Sequence, residues 1–286
     1  MVSVNDYGEF ETEWCPGCGN FMILKALKRA LAELGRSPDE VLITSGIGQS
    51  SKLPHYLKCN LFNGLHGRSL PPALGAKVAN HELTVLAVTG DGDCYGEGGN
   101  HFIHNVRRNP NITLIVHDNQ IYGLTKGQAS PTSEPGMKTK VQTHGVFNTP
   151  LNPLSLAISL DCSFVSRGFA GDVSHLTELI KKAIQHKGFS LVDVLQPCVS
   201  FNKLNTFSWY SERVYRMEEE GDGHDPGDRV KAFERSLQWG ERIPLGVFYV
   251  NEKPTFEDHL DVLRSGPLVS NKADPKKVDE LLDRFI

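Results

Sequence analysis

The sequence predicts an α/β protein with a doubly wound, mostly parallel sheet, helices on both faces and a C-terminal extension. Three observations predict it. Two short runs rich in β-branched and apolar residues, LTVLAV (83–88) and ITLIVH (112–117), flank a segment with room for one crossover helix, the pattern of a βαβ unit with parallel strands. Apolar runs and helical spacings alternate as far as about residue 200. The polar motifs of the unit, Gly90-Asp91-Gly92 and Asn119, fall just past the carboxyl ends of strands, the edge where open α/β sheets bind ligands.

In chain order, Leu24, Leu27, Leu31 and Leu34 follow helical spacing, with Asn20 as N-cap and Gly35 as the stop. VLITSG (41–46) reads as a strand, and the loop after it holds a helix in its second half. Beyond the βαβ unit, 125–153 is too rich in Gly, Pro, Ser and Thr for a core element. A helix at 154–160, a strand at 164–166, an amphipathic helix at 173–187 and a strand at 190–197 complete the sheet. EEEGDGHDPGDR then reads as a solvated charged loop, 245–250 as one more strand, and a last short helix begins near Pro275 with Asp274 as its cap. This divides the chain into a main domain, 1–200, and an extension, 201–286, wrapping the same domain or a partner.

Composition excludes several classes. A chain of 286 residues with 39% hydrophobic and 22% charged residues is an ordinary globular protein. A net charge of -4 gives no reason to expect nucleic acid or anionic lipid. No apolar stretch approaches the roughly 20 residues of a membrane span, and the first residues have neither a basic start nor an apolar core, so a cytoplasmic location is expected. Thiols stay reduced there, which makes the six cysteines metal or cluster ligands sooner than disulfides.

Asp91 and the Asn119 carboxamide offer two hard oxygen ligands at neighbouring strand ends, and the carbonyl of Ile121 can add a third. Magnesium suits such a set, its shell completed by water and phosphate oxygens. A bare turn is the plain alternative, since Gly-Asp-Gly is frequent in loops. The chain carries a control at 221–223, where no apolar strand precedes the tripeptide and it reads as loop.

Gly-Asp-Gly with an Asn 28 positions on resembles the thiamine diphosphate motif. EWCPGCGN, SGIGQSSKLPH, LHGR, GDGD, HDNQIYGLTKGQASPTS and DVLQPC then occur in the order found in β subunits of 2-oxoacid:ferredoxin oxidoreductases, a resemblance covering about 14–210. It implies that Asp91, Asn119 and the Ile121 carbonyl hold magnesium. It also implies thiamine diphosphate contacts from Gly46, Ile47, Gly48, Ser50, His66, Gly67, Gly90, Gly92, Asp93, Tyr122, Gly123, Leu124 and Thr125. A 4Fe-4S cluster is implied on this subunit, with an α subunit supplying the pyrimidine half of the site and the pair assembling as a dimer of αβ heterodimers. The activity implied is oxidative decarboxylation of a 2-oxoacid to acyl-CoA and carbon dioxide, reversible in principle, with coenzyme A as co-substrate and ferredoxin as electron acceptor.

Cys15 and Cys18 form a C-x-x-C loop just before a helix, whose amide dipoles favour a negatively charged cluster. The resemblance assigns a further ligand to Cys198. Many relatives carry a cysteine where this chain has Gln49, a poor ligand for soft iron–thiolate chemistry. Cys59, ten positions on, is the expected substitute, with Cys94 as rival and Cys162 as a small buried apolar residue. Zinc satisfies the same spacing; the thiamine motif favours a redox centre.

Lys52, His66 and Arg68 lie in glycine-containing loops that should open on the strand-end face, to meet substrate carboxylate or diphosphate oxygens or to make ordinary loop hydrogen bonds. Lys126 reads as a solvated lysine. Leu124 either walls the reactive carbon or simply packs. YGLTKGQASPTS resembles the 2-oxoglutarate and broad-range branch more than the pyruvate branch. Two other readings stay open: a non-oxidative thiamine diphosphate decarboxylase with structural zinc, and an iron-sulfur module without catalysis.

Overall fold

A computed structural model of the chain describes residues 2–221, 223–272 and 274–285. Asp222, the centre of the second Gly-Asp-Gly, lies outside the described residues. In order, the elements are α1 (Asn20–Glu33), β1 (Val41–Ser45), β2 (Asn60–Asn63), α2 (Leu70–Ala79), β3 (Thr84–Gly90), α3 (Gly99–Arg108), β4 (Thr113–Asp118) and a small hairpin of β5 (Ile121–Tyr122) and β6 (Gln128–Ala129). There follow α4 (Pro153–Ser159), β7 (Phe164–Phe169), α5 (Val173–Gln185), β8 (Ser190–Leu195), α6 (Phe207–Ser211) and β9 (Val214–Arg216). The chain closes with α7 (Met217–Glu220), α8 (Arg229–Ser236), β10 (Ile243–Val250) and α9 (Pro275–Leu282).

Eight strands form one sheet in the order β2-β1-β3-β4-β8-β7-β10-β9. Every neighbouring pair is parallel except β7 and β10. Alternate residues of the central strands enter two cores. Leu86 and Val88 of β3 join Ile43 and Val192 under α1 and α5, with Leu27, Leu31, Leu176 and Ile180. Val85 and Ala87 face the other way with Leu114 and Val116, covered by α2, α3 and α4 through Ala73, Phe102, Val106 and Leu154. Strands buried on both faces read as continuous apolar runs, which is why 83–88 and 112–117 stand out in the sequence. Each such side chain contributes roughly 1.5–3 kcal/mol on burial.

The α1 terminus shows one correction. Asn20 is not the N-cap; Gly19 holds that place and Asn20 is the first helical residue. Its side chain is buried and sits 2.7 Å from His117 Nδ1, because the interior imidazole of β4 needs a partner more than the helix end needs a cap. At the other end Gly35, at φ 67°, is the stop. The Arg36 amide reaches the Leu31 carbonyl and the Gly35 amide reaches Ala32, a Schellman closure.

Past residue 200 the chain still adds to the same sheet. β10 runs antiparallel beside β7 and carries β9 on its far edge. The charged stretch read as loop overlaps α7 and leads into α8, capped by Asp228 accepting from the Val230 and Lys231 amides. β2 escaped prediction because its four residues are all exposed and lack alternation. Asp274 caps α9 through the Lys276 amide. Among the described residues no helix is long and apolar enough to cross a membrane.

Candidate active site

β3 and β4 pair with Gly90 opposite His117, so Asp91 and Asn119 leave the sheet side by side at its carboxyl edge. One cavity there, about 490 Å³ with its mouth, is lined by Asp91, Asn119 and Ile121. Ile47, Gly48, Ser50, His66, Gly90, Gly92, Asp93, Tyr122, Gly123, Leu124 and Thr125 line the same space, together with Gln49. Gly46 and Gly67 stand behind this wall, and Lys52 lies outside it on the short 3-10 helix Ser50–Tyr56.

Glycine is dictated here by close approach. A Cβ on Gly92 would lie 2.2 Å from the Tyr122 ring, and one on Gly46 would lie 1.9 Å from Asp93 Oδ2. The Asp93 carboxylate is spent on the protein. It accepts the Ile47 amide at 3.0 Å, the Gly67 amide at 2.7 Å and the Thr89 hydroxyl at 2.5 Å, and faces His66 Nδ1 at 2.5 Å. Its work is to fasten the loops after β1 and β2 onto the end of β3. His66 Nε2 in turn lies 3.5 Å from Glu97.

Asp91 is buried, and its Oδ2 accepts the Ser130 hydroxyl at 2.5 Å and the Thr132 hydroxyl at 2.7 Å. Thr132 Oγ1 also lies 2.8 Å from Asp118 Oδ1. A hydroxyl has one proton to give, so Thr132 donates to only one of the two carboxylates at a time. Burial, then the charges of Asp193 and Asp91, push the Asp118 carboxyl well above the usual range, opposed by its bond from Thr132. Burial likewise raises Asp91, opposed by its two hydroxyl bonds. Asp193, which accepts from Tyr95 at 2.8 Å, is pushed up to about 6 by burial despite Arg167 at 3.8 Å.

Asn119 Oδ1 accepts the Ile121 amide at 3.0 Å, an Asx turn that leaves the carboxamide at the cavity wall. Buried acids outnumbering the one arginine among them, two hard oxygens at the rim and side-chain-free glycine surfaces fit a divalent cation and a diphosphate. Thr125 spends its hydroxyl on Gln128 at 2.6 Å, and Leu124 stands partly exposed at the mouth. Lys126 is exposed at φ 78° in the loop beyond, and Arg68 lies outside the lining. Ser130 and Thr132 escaped the sequence reading; the only signal was a run of hydroxyl residues in ASPTS.

The thiols divide. Cys15 and Cys18 occupy the turn before α1, and Cys198 follows β8. The Gly19 amide reaches the Pro197 carbonyl and Gln196 Nε2 lies 3.4 Å from Cys18 Sγ, which brings the two segments together. Burial pushes the Cys18 thiol up to about 11, with Cys198 and Cys15 adding to the rise. Cys59 is not brought to them. It precedes β2, whose Asn60 pairs with Leu42 at the start of β1, so it stands at the opposite edge of the sheet. Cys94 packs into the α3-side core, and Cys162 is a small buried residue whose Sγ lies 3.4 Å from the Phe189 carbonyl. Among the described residues no three His, Cys, Asp or Glu side chains converge to hold a single ion. A cubane cluster takes each thiolate on a different iron, so its ligands need not meet at a point.

Residues 46–194 match the family "Thiamine pyrophosphate enzyme, C-terminal TPP binding domain", and 198–265 match the family of the C-terminal region of the pyruvate ferredoxin oxidoreductase beta chain. The chain is 48% identical over 260 residues to the 2-oxoacid:ferredoxin oxidoreductase subunit beta of Saccharolobus solfataricus, covering 87% of this chain and 85% of that one. It is 34% identical over 250 residues to the 2-oxoglutarate synthase subunit KorB of Methanocaldococcus jannaschii, covering 87% and 92%. Its fold superposes on the 2-oxoglutarate:ferredoxin oxidoreductase of Magnetococcus marinus, solved with 2-oxoglutarate, coenzyme A and succinyl-CoA bound. The TM-score is 0.90 at 38% identity, covering 98% of this chain and 96% of that one. With the doubly wound sheet, the strand-end pair Asp91 and Asn119 and these matches in agreement, the chain belongs to the β subunits of the 2-oxoacid:ferredoxin oxidoreductases and is a subunit of an enzyme.

Proposed function

We propose that this chain holds the diphosphate half of thiamine diphosphate and its magnesium in a CoA-acylating 2-oxoglutarate:ferredoxin oxidoreductase. The observation that carries the reading is the juxtaposition of Asp91 and Asn119 in one glycine-walled cavity at the ends of adjacent parallel strands. Asp91, Asn119 and the Ile121 carbonyl would hold the metal, and the amides around Gly90, Gly92 and Gly123 would face diphosphate oxygens. When bound, thiamine diphosphate supplies the electron sink that lets a 2-oxoacid lose carbon dioxide.

The chain's own residues bind and orient. Asp93 fixes the two loops that floor the cavity, and Ser130 and Thr132 hold the Asp91 carboxylate in one rotamer. His66, partly exposed and bridged between Asp93 and Glu97, faces the same space and can meet substrate oxygens. Leu124 at the mouth offers an apolar wall toward the reacting carbon. Neither Lys52 nor Lys126 lines the cavity, so a distal substrate carboxylate would be met by the α subunit. An iron-sulfur cluster at Cys15, Cys18 and Cys198 would be the redox group, with ferredoxin as external acceptor.

The working unit in this reading is a cytoplasmic dimer of αβ heterodimers, in which the open side of the cavity is closed by the α subunit. The reading is tested by anaerobic, CoA-dependent ferredoxin reduction by the αβ complex with 2-oxoglutarate and with pyruvate. A higher kcat/KM for 2-oxoglutarate, abolished in Asp91→Ala, is expected. Preference for pyruvate would overturn the substrate, and turnover without coenzyme A or ferredoxin would overturn the reaction.

A further inference from the structure

The cysteine arrangement carries an inference that rests on the cluster reading above and deepens it. A 4Fe-4S cube offers four irons, each of which takes one terminal ligand. At the carboxyl edge the fold gathers Cys15, Cys18 and Cys198. The remaining three thiols are committed elsewhere. Cys59 stands at the amino-terminal edge of β1, next to Lys58, whose amide is tied to the Tyr7 carbonyl at 2.9 Å. Cys94 and Cys162 are 2% and 0% exposed within the opposite core. Moving any of them to the cluster would mean unfolding a strand or a core layer.

What the fold brings to the three thiols instead is Gln49. Trp14, the residue before Cys15, donates its indole N–H to the Gln49 carbonyl at 2.7 Å, which pins the 46–50 loop against the C-x-x-C turn. The Gln49 side-chain oxygen is shielded from solvent and has no hydrogen-bond partner. A carboxamide oxygen is a hard, neutral donor, poorly matched to iron in a thiolate and sulfide environment. Gln49 also lines the cavity of Asp91 and Asn119.

We propose that this subunit binds its cluster through three thiolates, Cys15, Cys18 and Cys198, and that the fourth iron, facing Gln49, carries an exchangeable non-protein ligand such as water, hydroxide or an added thiol. An iron without a thiolate is the one lost on oxidation. Ferricyanide takes one electron from the [4Fe-4S]2+ core; the resulting [4Fe-4S]3+ core releases one Fe2+ and leaves [3Fe-4S]+. Ferrous iron with a reductant returns it to the starting state.

The test uses the αβ complex purified without oxygen, analysed for iron and sulfide, then oxidised with one equivalent of ferricyanide in the presence of a ferrous chelator. The expected result is one Fe2+ released per cluster and a three-iron electron paramagnetic resonance signal, reversed by ferrous salt and dithionite. Gln49→Cys should suppress the release, and Cys59→Ser should leave iron content and release as in the unaltered complex. Retention of all four irons in the unaltered complex, or loss of iron in Cys59→Ser to the extent seen in Cys198→Ser, overturns the three-thiolate assignment while leaving the cluster reading intact. A complex without iron and sulfide overturns both.

Discussion

His66 Nδ1 and Asp93 Oδ1 stand 2.5 Å apart, and the same carboxylate oxygen accepts the amides of Gly67 and Ile47. One buried acid thus joins two loops to the end of β3 through four partners, the fourth being Thr89. Asp93→Ala leaves the Ile47 and Gly67 amides without their acceptor. A loss of about 2–3 kcal/mol in unfolding free energy is expected from the unsatisfied pair. Thiamine diphosphate binding should weaken beyond that, since the loops flooring the cavity lose their tie. Urea unfolding and calorimetric titration of the αβ complex check the two effects separately.

Asp91 and its two hydroxyl partners form a graded series. Asp91→Ala should abolish magnesium-dependent cofactor binding. Ser130→Ala leaves the carboxylate in place with one bond fewer, and should raise the magnesium concentration for half-saturation by about fivefold to tenfold, the worth of about 1–1.4 kcal/mol. Titration of cofactor binding against magnesium reads both, and equal magnesium requirements in Ser130→Ala and the unaltered protein would show that the hydroxyl does not orient the ligand.

Gly92→Ala inserts a methyl group 2.2 Å from the Tyr122 ring, which must move into the cavity. Cofactor binding should fall by at least about tenfold with helical circular dichroism unchanged. Gly99→Ala serves as control, because nothing lies within 4 Å of its Cβ position. It should leave binding unaltered and shift stability by less than about 1 kcal/mol.

Two buried groups of β4 and β8 give opposite pH dependences. Burial holds His117 down to about 3 from 6.5, so its contribution is full above pH 6.5 and lost as pH falls toward 3. Asp193 is raised from 3.8 to about 6, so its contribution is full below pH 3.8 and lost as pH rises through 6. Between about pH 4 and 6 the two slopes oppose each other, each near 1.4 kcal/mol per pH unit. Asp193→Asn removes one of them. Relative to the unaltered protein, its stability should fall more steeply on acidification across this window by about 1.4 kcal/mol per unit, in urea midpoints measured at several pH values.

The βαβ frame was legible because strands buried on both faces must be apolar throughout, so 83–88 and 112–117 leave a signal that needs no tertiary information. Their ends followed from the same logic, and with them Asp91 and Asn119, since parallel neighbours deliver their carboxyl ends to one edge. Much of the C-terminal part was not legible. β2, β9 and α8 are short or polar, and packing against the finished sheet, more than local propensity, holds them in place.

Sequence spacing alone thus determined the fold class, the strand-end pair and the C-x-x-C turn, all of which depend on local pattern and on the direction of parallel strands. Only the tertiary structure decided which thiols share an edge. Cys59 lies ten positions after Gln49, yet the chain between them runs back down the sheet, so the nearer cysteine in sequence becomes the far one in space. It also decided that Asp93 is a fastener of loops and that Asp91 leans on Ser130 and Thr132. Those bonds join loops that meet only once the strands are laid side by side.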